Sequence, residues 1–214
     1  MTVPEALAAR RSVRAFLPKP VETEKLTAVF EAAARTPSWA NTQPWDVFVA
    51  TGETLERIRQ GYKEKYAGGA KPEPETPRAA TWSEEANRRR AQLQPDMKRD
   101  CGDAVQQFGE LNQSLFHAPA VIYLCTDKVH SEWSLYDIGA YAQSLMLTAA
   151  HCGLGTMPAI TLTFFPDILH RELEIPSDLK VTIGIAIGYP DTQNDINKFV
   201  SARDPVDKVV RIFT

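Results

Sequence analysis

The chain has 214 residues, of which 43% are hydrophobic and 24% charged, with a formal net charge of −3. Such a composition excludes global disorder, the length excludes an array of modules, and the acidic balance argues against a general nucleic-acid binder. Three cysteines cannot frame a disulfide scaffold, residues 1–14 lack the apolar core of a secretion signal, and no run approaches the ~18 apolar residues of a membrane span.

Thr2-Val3-Pro4-Glu5 has the form of a capping box, in which the Thr hydroxyl accepts from the Glu amide and the carboxylate returns the bond. It predicts a short helix over 4–10. Leu26, Val29, Phe30 and Ala33 recur at helical spacing, so a second helix is expected over 23–34, ended by Thr36-Pro37. A strand is expected over 45–50 and a third helix over 53–66. Residues 67–77 carry Gly68, Gly69, Pro72, Pro74 and Pro77 among charges, a composition that reads as a loop. A highly charged helix over 82–94 and another over 104–116 follow. The apolar run 121–125 predicts a buried strand. Ser134-Leu135-Tyr136-Asp137 again resembles a capping box, opening a helix over 134–152 that is apolar nearly all round, as suits a core or a subunit interface. A β-branched run predicts a last buried strand over 181–187. No internal repeat is present, and 194–214 shows no strong period before 206–213. Strands separated by helices give an α+β or α/β class.

Gly153-Leu154-Gly155 is not a dinucleotide fingerprint. Its glycines follow a helix, the third glycine is absent and Pro158 follows, so a helix cap is the expected role. There is no Gly-x-Ser-x-Gly elbow. His117, His130, His151 and His170 have no Cys or His partner at ligand spacing, so no metal is expected. Cys125 reads as a small core residue. Two polar clusters are left. Arg10-Arg11-Ser12-Val13-Arg14 sets three cations and a hydroxyl beyond a short helix. Guanidinium forks bind phosphate bidentately, so this is a phosphate clamp or, alternatively, a solvated basic helix end. Residues 37–45 join a helix to a strand, and their amides and hydroxyls suit the edge of a flat heterocycle or an ordinary turn.

These clusters are followed in order by His117-Ala118-Pro119, by Gly153-Leu154-Gly155-Thr156-Met157-Pro158, by Gly188-Tyr189-Pro190-Asp191 and by Arg203. In that register, nearly the whole chain resembles the FMN-dependent nitroreductase family and, within it, the nitrobenzoate-reductase-like branch. The resemblance implies an α+β fold: one nitroreductase-like domain, 1–214, with a central mostly antiparallel sheet flanked by helices. It further implies a domain-intertwined homodimer and a variable insertion or lid at about 67–101. It implies an enzyme with FMN at each end of the dimer interface; the cysteine count, the charge and the hydropathy add the expectation of a cytoplasmic location and no nucleic-acid or membrane partner. NADH or NADPH would be the electron donor. Hydride would pass through flavin N5 to a nitroaromatic or related conjugated small-molecule acceptor by a ping-pong mechanism. A reductive dehalogenase, an enoate reductase, or a flavin-binding protein without useful turnover are the alternatives.

Site residues follow from the same resemblance. Arg10, Ser12 and Arg203, with Arg11 beside them, match the phosphate-holding positions, and Arg14 matches one near the pyrimidine edge. A fixed cation there would stabilise the negative charge of reduced flavin. Pro37, Ser38, Trp39 and Asn41, with Gln43 behind them, would contact the ring or ribityl chain from the partner subunit. Pro158 precedes a backbone N–H near N5, which makes Ala159, Ile160 and Thr161 candidates. Asn112 matches a flavin-edge amide or cation. Trp39 stands where small residues are usual, and Ala159-Ile160 replace a polar or acidic residue, leaving backbone to reach N5. In the insertion, Trp82 and Arg88, Arg89 or Arg90 are candidate acceptor contacts, since an arginine could pair with an acceptor carboxylate. A solvated charged helix is the other reading. The flavin carries the chemistry, so no catalytic side chain is expected.

Overall fold

The computed structural model describes residues Met1–Thr214. The capping box forms as expected: the Thr2 amide donates to Glu5 Oε2 at 2.7 Å and the Glu5 amide to Thr2 Oγ1 at 3.4 Å. It opens α1, Val3–Ala9. Helix α2, Thr23–Ala33, buries Leu26, Val29 and Ala33, the periodic residues of its apolar face. Strand β1, Asp46–Thr51, leads straight into α3, Gly52–Ala67, through Gly52 at φ +51°. The segment before the next helix is irregular, as its glycines and prolines require.

Helix α4 spans Glu84–Cys101, later and longer than the expected 82–94. It continues across Pro95 because Met97 and Cys101, one turn apart, are buried and draw its C-terminal half onto the core. Trp82 lies outside it. The single helix expected over 104–116 is instead three pieces: a 3-10 stretch Gly102–Gln107, α5, Phe108–Gln113, and a 3-10 turn Leu115–His117. Leu115, Phe116 and His117 all take positive φ, and Leu115 and Phe116 are fully buried. Helix geometry ends there so that both side chains reach the interior.

Strand β2 is Ala120–Asp127 and α6 is Glu132–His151. The second expected capping box does not form, because Ser134 already lies in the first turn and its amide donates to Ser131 O. Nor is α6 buried all round: Ile138, Tyr141, Ala142, Leu145, Met146 and Ala149 face inward, while Trp133 and Tyr136 are exposed. Gly153 caps the helix at φ +76°. Strand β3, Gly155–Ala159, and helix α7, Pro166–Glu172, were not legible in the sequence. Strand β4 is Leu179–Gly188 and α8 is the short Val206–Val209.

The sheet order is β1-β2-β4-β3 and every pairing is antiparallel. Pro158 is tolerated because β3 is an edge strand, where a missing N–H costs no ladder bond. Side chains alternating across β2 feed two cores. Val121, Tyr123 and Cys125 join α3, α4 and α7 residues on one face; Ala120, Ile122 and Leu124 join α2 and α6 on the other.

Candidate active site

The extended segment after α1 runs along the β3 edge. The Val13 amide donates to Thr156 O at 2.9 Å, and Ser12 and Thr156 form a parallel bridge. Gly155 permits this approach: a Cβ there would sit 2.6 Å from Val13 Cγ2 and 2.9 Å from Pro190 Cγ. The buried side chain of Asn197 fixes the same segment from the other side. Its Oδ1 accepts from the Arg14 amide at 2.7 Å and the Ala15 amide at 3.2 Å, and its Nδ2 donates to Ala15 O and Asp191 O.

This scaffold frames a cavity of about 500 Å³ lined by Leu7, Arg10, Arg11, Ser12, Arg14, Gln143, Pro158, Phe199, Val200, Ser201 and Arg203. Four arginines line it and no acidic residue does. None of the four forms an ion pair with any carboxylate of the chain. Arg14 is only 7% exposed. One of its terminal nitrogens, Nη1, donates to Ser12 O at 3.1 Å, and its Nε is buried without a partner. Its guanidinium carbon lies 5.2 Å from the Phe199 ring centre and 5.9 Å from that of Phe108, a cation held between aromatic rings. Burial lowers the Arg14 pKa, which the neighbouring Cys101 partly offsets. Arg203 lies at the surface, where its Nη1 donates to Ser201 O, Ser201 Oγ and Ala202 O.

The donor set fits a phosphate-bearing ligand. Uncompensated positive charge and an unpartnered buried N–H both call for an anionic acceptor. A cavity of this size is in the range of cofactor sites, roughly 300–1,000 Å³.

Arg10, Arg11, Ser12, Arg14, Pro158 and Arg203, chosen from sequence, thus converge. Ala159 closes β3 directly after Pro158, and Ile160 and Thr161 open a 3-10 turn. Thr161 Oγ1 donates to Asn112 Oδ1 at 3.0 Å, and Asn112 Nδ2 donates to Phe108 O at 2.6 Å. Both ends of the Asn112 amide are therefore held, by the Phe108 backbone and by the Thr161 hydroxyl that follows β3. Pro37, Ser38, Trp39, Asn41 and Gln43 are not part of this cavity. Trp39 and Gln43 line a separate one of about 200 Å³ with Asp137 and Trp133. There Asp137 Oδ2 accepts from the Trp39 amide and Ser38 Oγ from the Gln43 amide, both at 2.9 Å. Ala40, Asn41 and Gln43 all have positive φ near +50°. Three such residues in four store strain of roughly 1–3 kcal/mol each, of the kind that collects at functional sites.

Of the candidate acceptor contacts on and before α4, Arg88 and Arg89 pair with Glu85, and Arg89 also with Asp204. The close Arg88 contact holds Glu85 down to about 2. Arg90 has no carboxylate partner and lies 5.0 Å from the Trp82 ring centre. Leu7, Phe108, Gln143, Asn197 and Phe199 were missed from sequence. None of them carried a local signal: Gln143 is one of several polar residues in α6, beside Asp137, Ser144 and Thr148.

Residues 7–189 match the profile of the nitroreductase family. The chain belongs to that family. It is 33% identical over 205 residues to a chloronitrobenzene nitroreductase of Comamonas testosteroni, covering 91% of this chain and 89% of that protein. It is 28% identical over 208 residues to a 4-nitrobenzoate reductase of Pseudomonas putida, covering 92% and 89%. An FMN- and NADPH-dependent nitroreductase of Sphigopyxis sp. strain HMH superimposes with a TM-score of 0.93 at 27% identity, covering 100% of both chains. An FMN-dependent nitroreductase of Mycobacterium smegmatis, solved in complex with NADPH, gives 0.90 at 29% identity over 99% of this chain and 98% of that one.

Proposed function

We propose that this chain is an FMN-dependent oxidoreductase that takes electrons from NAD(P)H and reduces nitroaromatic or related conjugated electrophiles. The observation that carries this is the cavity of four arginines without carboxylate partners, one of them the buried Arg14 that lies against the rings of Phe108 and Phe199. When bound, FMN supplies the hydride-transfer chemistry. The chain's own residues bind and tune it. Arg10, Arg11, Ser12 and Arg203 would hold the phosphate, and Arg14, through its free Nε, the electron-accepting edge of the ring. A cation fixed in a desolvated setting favours the anionic reduced ring more strongly than one in water. Asn112, set by Thr161, and the Pro158–Thr161 backbone would hold the remaining ring edge.

The chain is read as a homodimer. Its support is the apolar surface left on one chain: Trp39, Trp133, Tyr136, Ile212 and Phe213 are each at least 59% exposed. The strained 37–43 segment, outside the cavity of its own chain, would then serve the partner's flavin. Sedimentation at micromolar concentration should give a dimer; a flavin-bound monomer would contradict it. A cytoplasmic location is supported by three unpaired cysteines; no helix is long and apolar enough to cross a membrane.

The insertion about 67–101 is read as setting acceptor choice, with Arg90 on Trp82 the cation for an acceptor carboxylate. Arg90→Ala should raise KM for a carboxylated nitroaromatic and spare its uncharged analogue; equal effects on both would remove that role. The function itself is tested by titrating apoprotein with FMN, FAD and riboflavin, then assaying NAD(P)H-dependent reduction of a nitrobenzoate. FMN alone should bind tightly and support turnover. Preference for FAD, or no flavin binding, would refute the proposal.

A further inference from the structure

The cavity wall formed by Phe199, Val200, Ser201 and Arg203 belongs to an irregular stretch between the 3-10 turn Asp195–Lys198 and α8. No backbone hydrogen bond ties residues 199–204 to the rest of the chain. One end is fixed by Asn197, buried among the Arg14, Ala15 and Asp191 backbone groups. The other end is fixed by Asp204. Its Oδ2 accepts from Arg89 Nε at 2.8 Å and lies 2.5 Å from Arg89 Nη2, while Arg88 Nη2 stands 4.0 Å from Oδ1. Glu85 holds both arginines from the preceding turn of α4. Asp204 is the most covered member of this network, with its side chain 21% exposed against 57% and 49% for Arg88 and Arg89. Between the two fixed ends, Arg203 bonds only to its own loop, at Ser201 and Ala202.

We infer that Arg89 and Arg88, acting through Asp204, position Arg203 at the cofactor phosphate, so that the insertion helix α4 governs how long FMN is retained. This rests on the reading of the cavity as an FMN site. Asp204 and the two arginines are positioning residues, since none lines the cavity. The arrangement also gives the arginine run a job other than acceptor binding: two of the three are committed to a carboxylate of the chain itself.

The test is the rate and equilibrium of FMN dissociation, followed by the recovery of flavin fluorescence after dilution of the holoprotein. Asp204→Asn, and Arg88→Ala with Arg89→Ala, should each speed release roughly two- to fivefold, the scale of a partly exposed charge network. Reversing the pair, Arg89→Asp with Asp204→Arg, should restore much of the retention. If Asp204 acts through Arg203, Asp204→Asn should add nothing in an Arg203→Ala background. Release at the parental rate in Asp204→Asn, or equal acceleration with and without Arg203, would overturn the inference. Those outcomes leave the flavin reading standing, whereas a parent protein that takes up no FMN overturns both.

Discussion

Arg14 pits binding against stability. Its charge is buried without a counter-ion, its Nε has no partner, and burial already lowers its pKa. Replacing such a group by an apolar one of similar length removes a desolvation cost of the kind that makes hydrophobic replacements stabilising by roughly 1–4 kcal/mol. Arg14→Met should therefore raise the thermal midpoint of the apoprotein. It should weaken FMN binding about tenfold or more, the loss of one charge-assisted bond. Calorimetry of the apoprotein and a flavin titration check the two signs separately. A variant both less stable and unchanged in FMN affinity would make Arg14 a structural cation. Sequence showed Arg14 as one of three nearby cations but could not single it out, because Phe108, Asn197 and Phe199, which bury it, lie roughly 90–185 positions away along the chain and have no local signature.

At the scale of elements, the approach of the Arg10–Arg14 segment to β3 depends on the missing side chain at Gly155. Gly155→Ala would drive a methyl into Val13 and Pro190 and should cost about 1–3 kcal/mol, as overpacking does. Because Val13 lies between Ser12 and Arg14, the same change should lower flavin occupancy. Chemical denaturation with a flavin count measures both; a stable variant with full occupancy would show that the segment has room to shift. Gly155 also shows what the sequence concealed. Strands β1, β2 and β4 were legible from apolar, β-branched runs, and α2 from its spacing. Strand β3 was hidden because Gly155 and Pro158 are residues that strands avoid, kept here for close packing and an edge position. The break at Leu115–His117 was hidden because three successive left-handed residues are imposed by burial of Leu115 and Phe116, not by local preference. The Arg10–Arg14 cluster was readable because its three cations fall within five residues, whereas Arg203 and the rings of Phe108 and Phe199 that flank Arg14 come from elsewhere in the chain.

For the whole molecule, the buried acids set an alkaline limit. Desolvation raises the phenols of Tyr62 and Tyr123 well above 10.0 and pushes the Cys125 thiol from 9.0 up to about 12. Tyr62 also donates to Leu162 O at 2.6 Å, a bond that its ionisation would destroy. Each group binds its proton more tightly folded than unfolded. Their contribution is thus fully present below the unfolded values and is lost as pH rises through the folded ones. The thermal midpoint should fall as pH climbs from about 9 towards 12, and the buried tyrosinates should form only with loss of the native circular dichroism. Their titration in a still-folded protein would contradict this burial.

The two cores, the β3 edge and the arginine-lined cavity together make the central claim, that this molecule carries FMN for use in turnover. The most direct measurement is anaerobic: add NADPH or NADH to the FMN-loaded protein, follow the visible flavin absorbance, then add a nitrobenzoate. The expected result is bleaching by the nicotinamide and full recovery of colour on addition of the nitroaromatic, without oxygen. Absorbance that does not respond to either nicotinamide, or that bleaches and is not restored by the nitroaromatic, would contradict it.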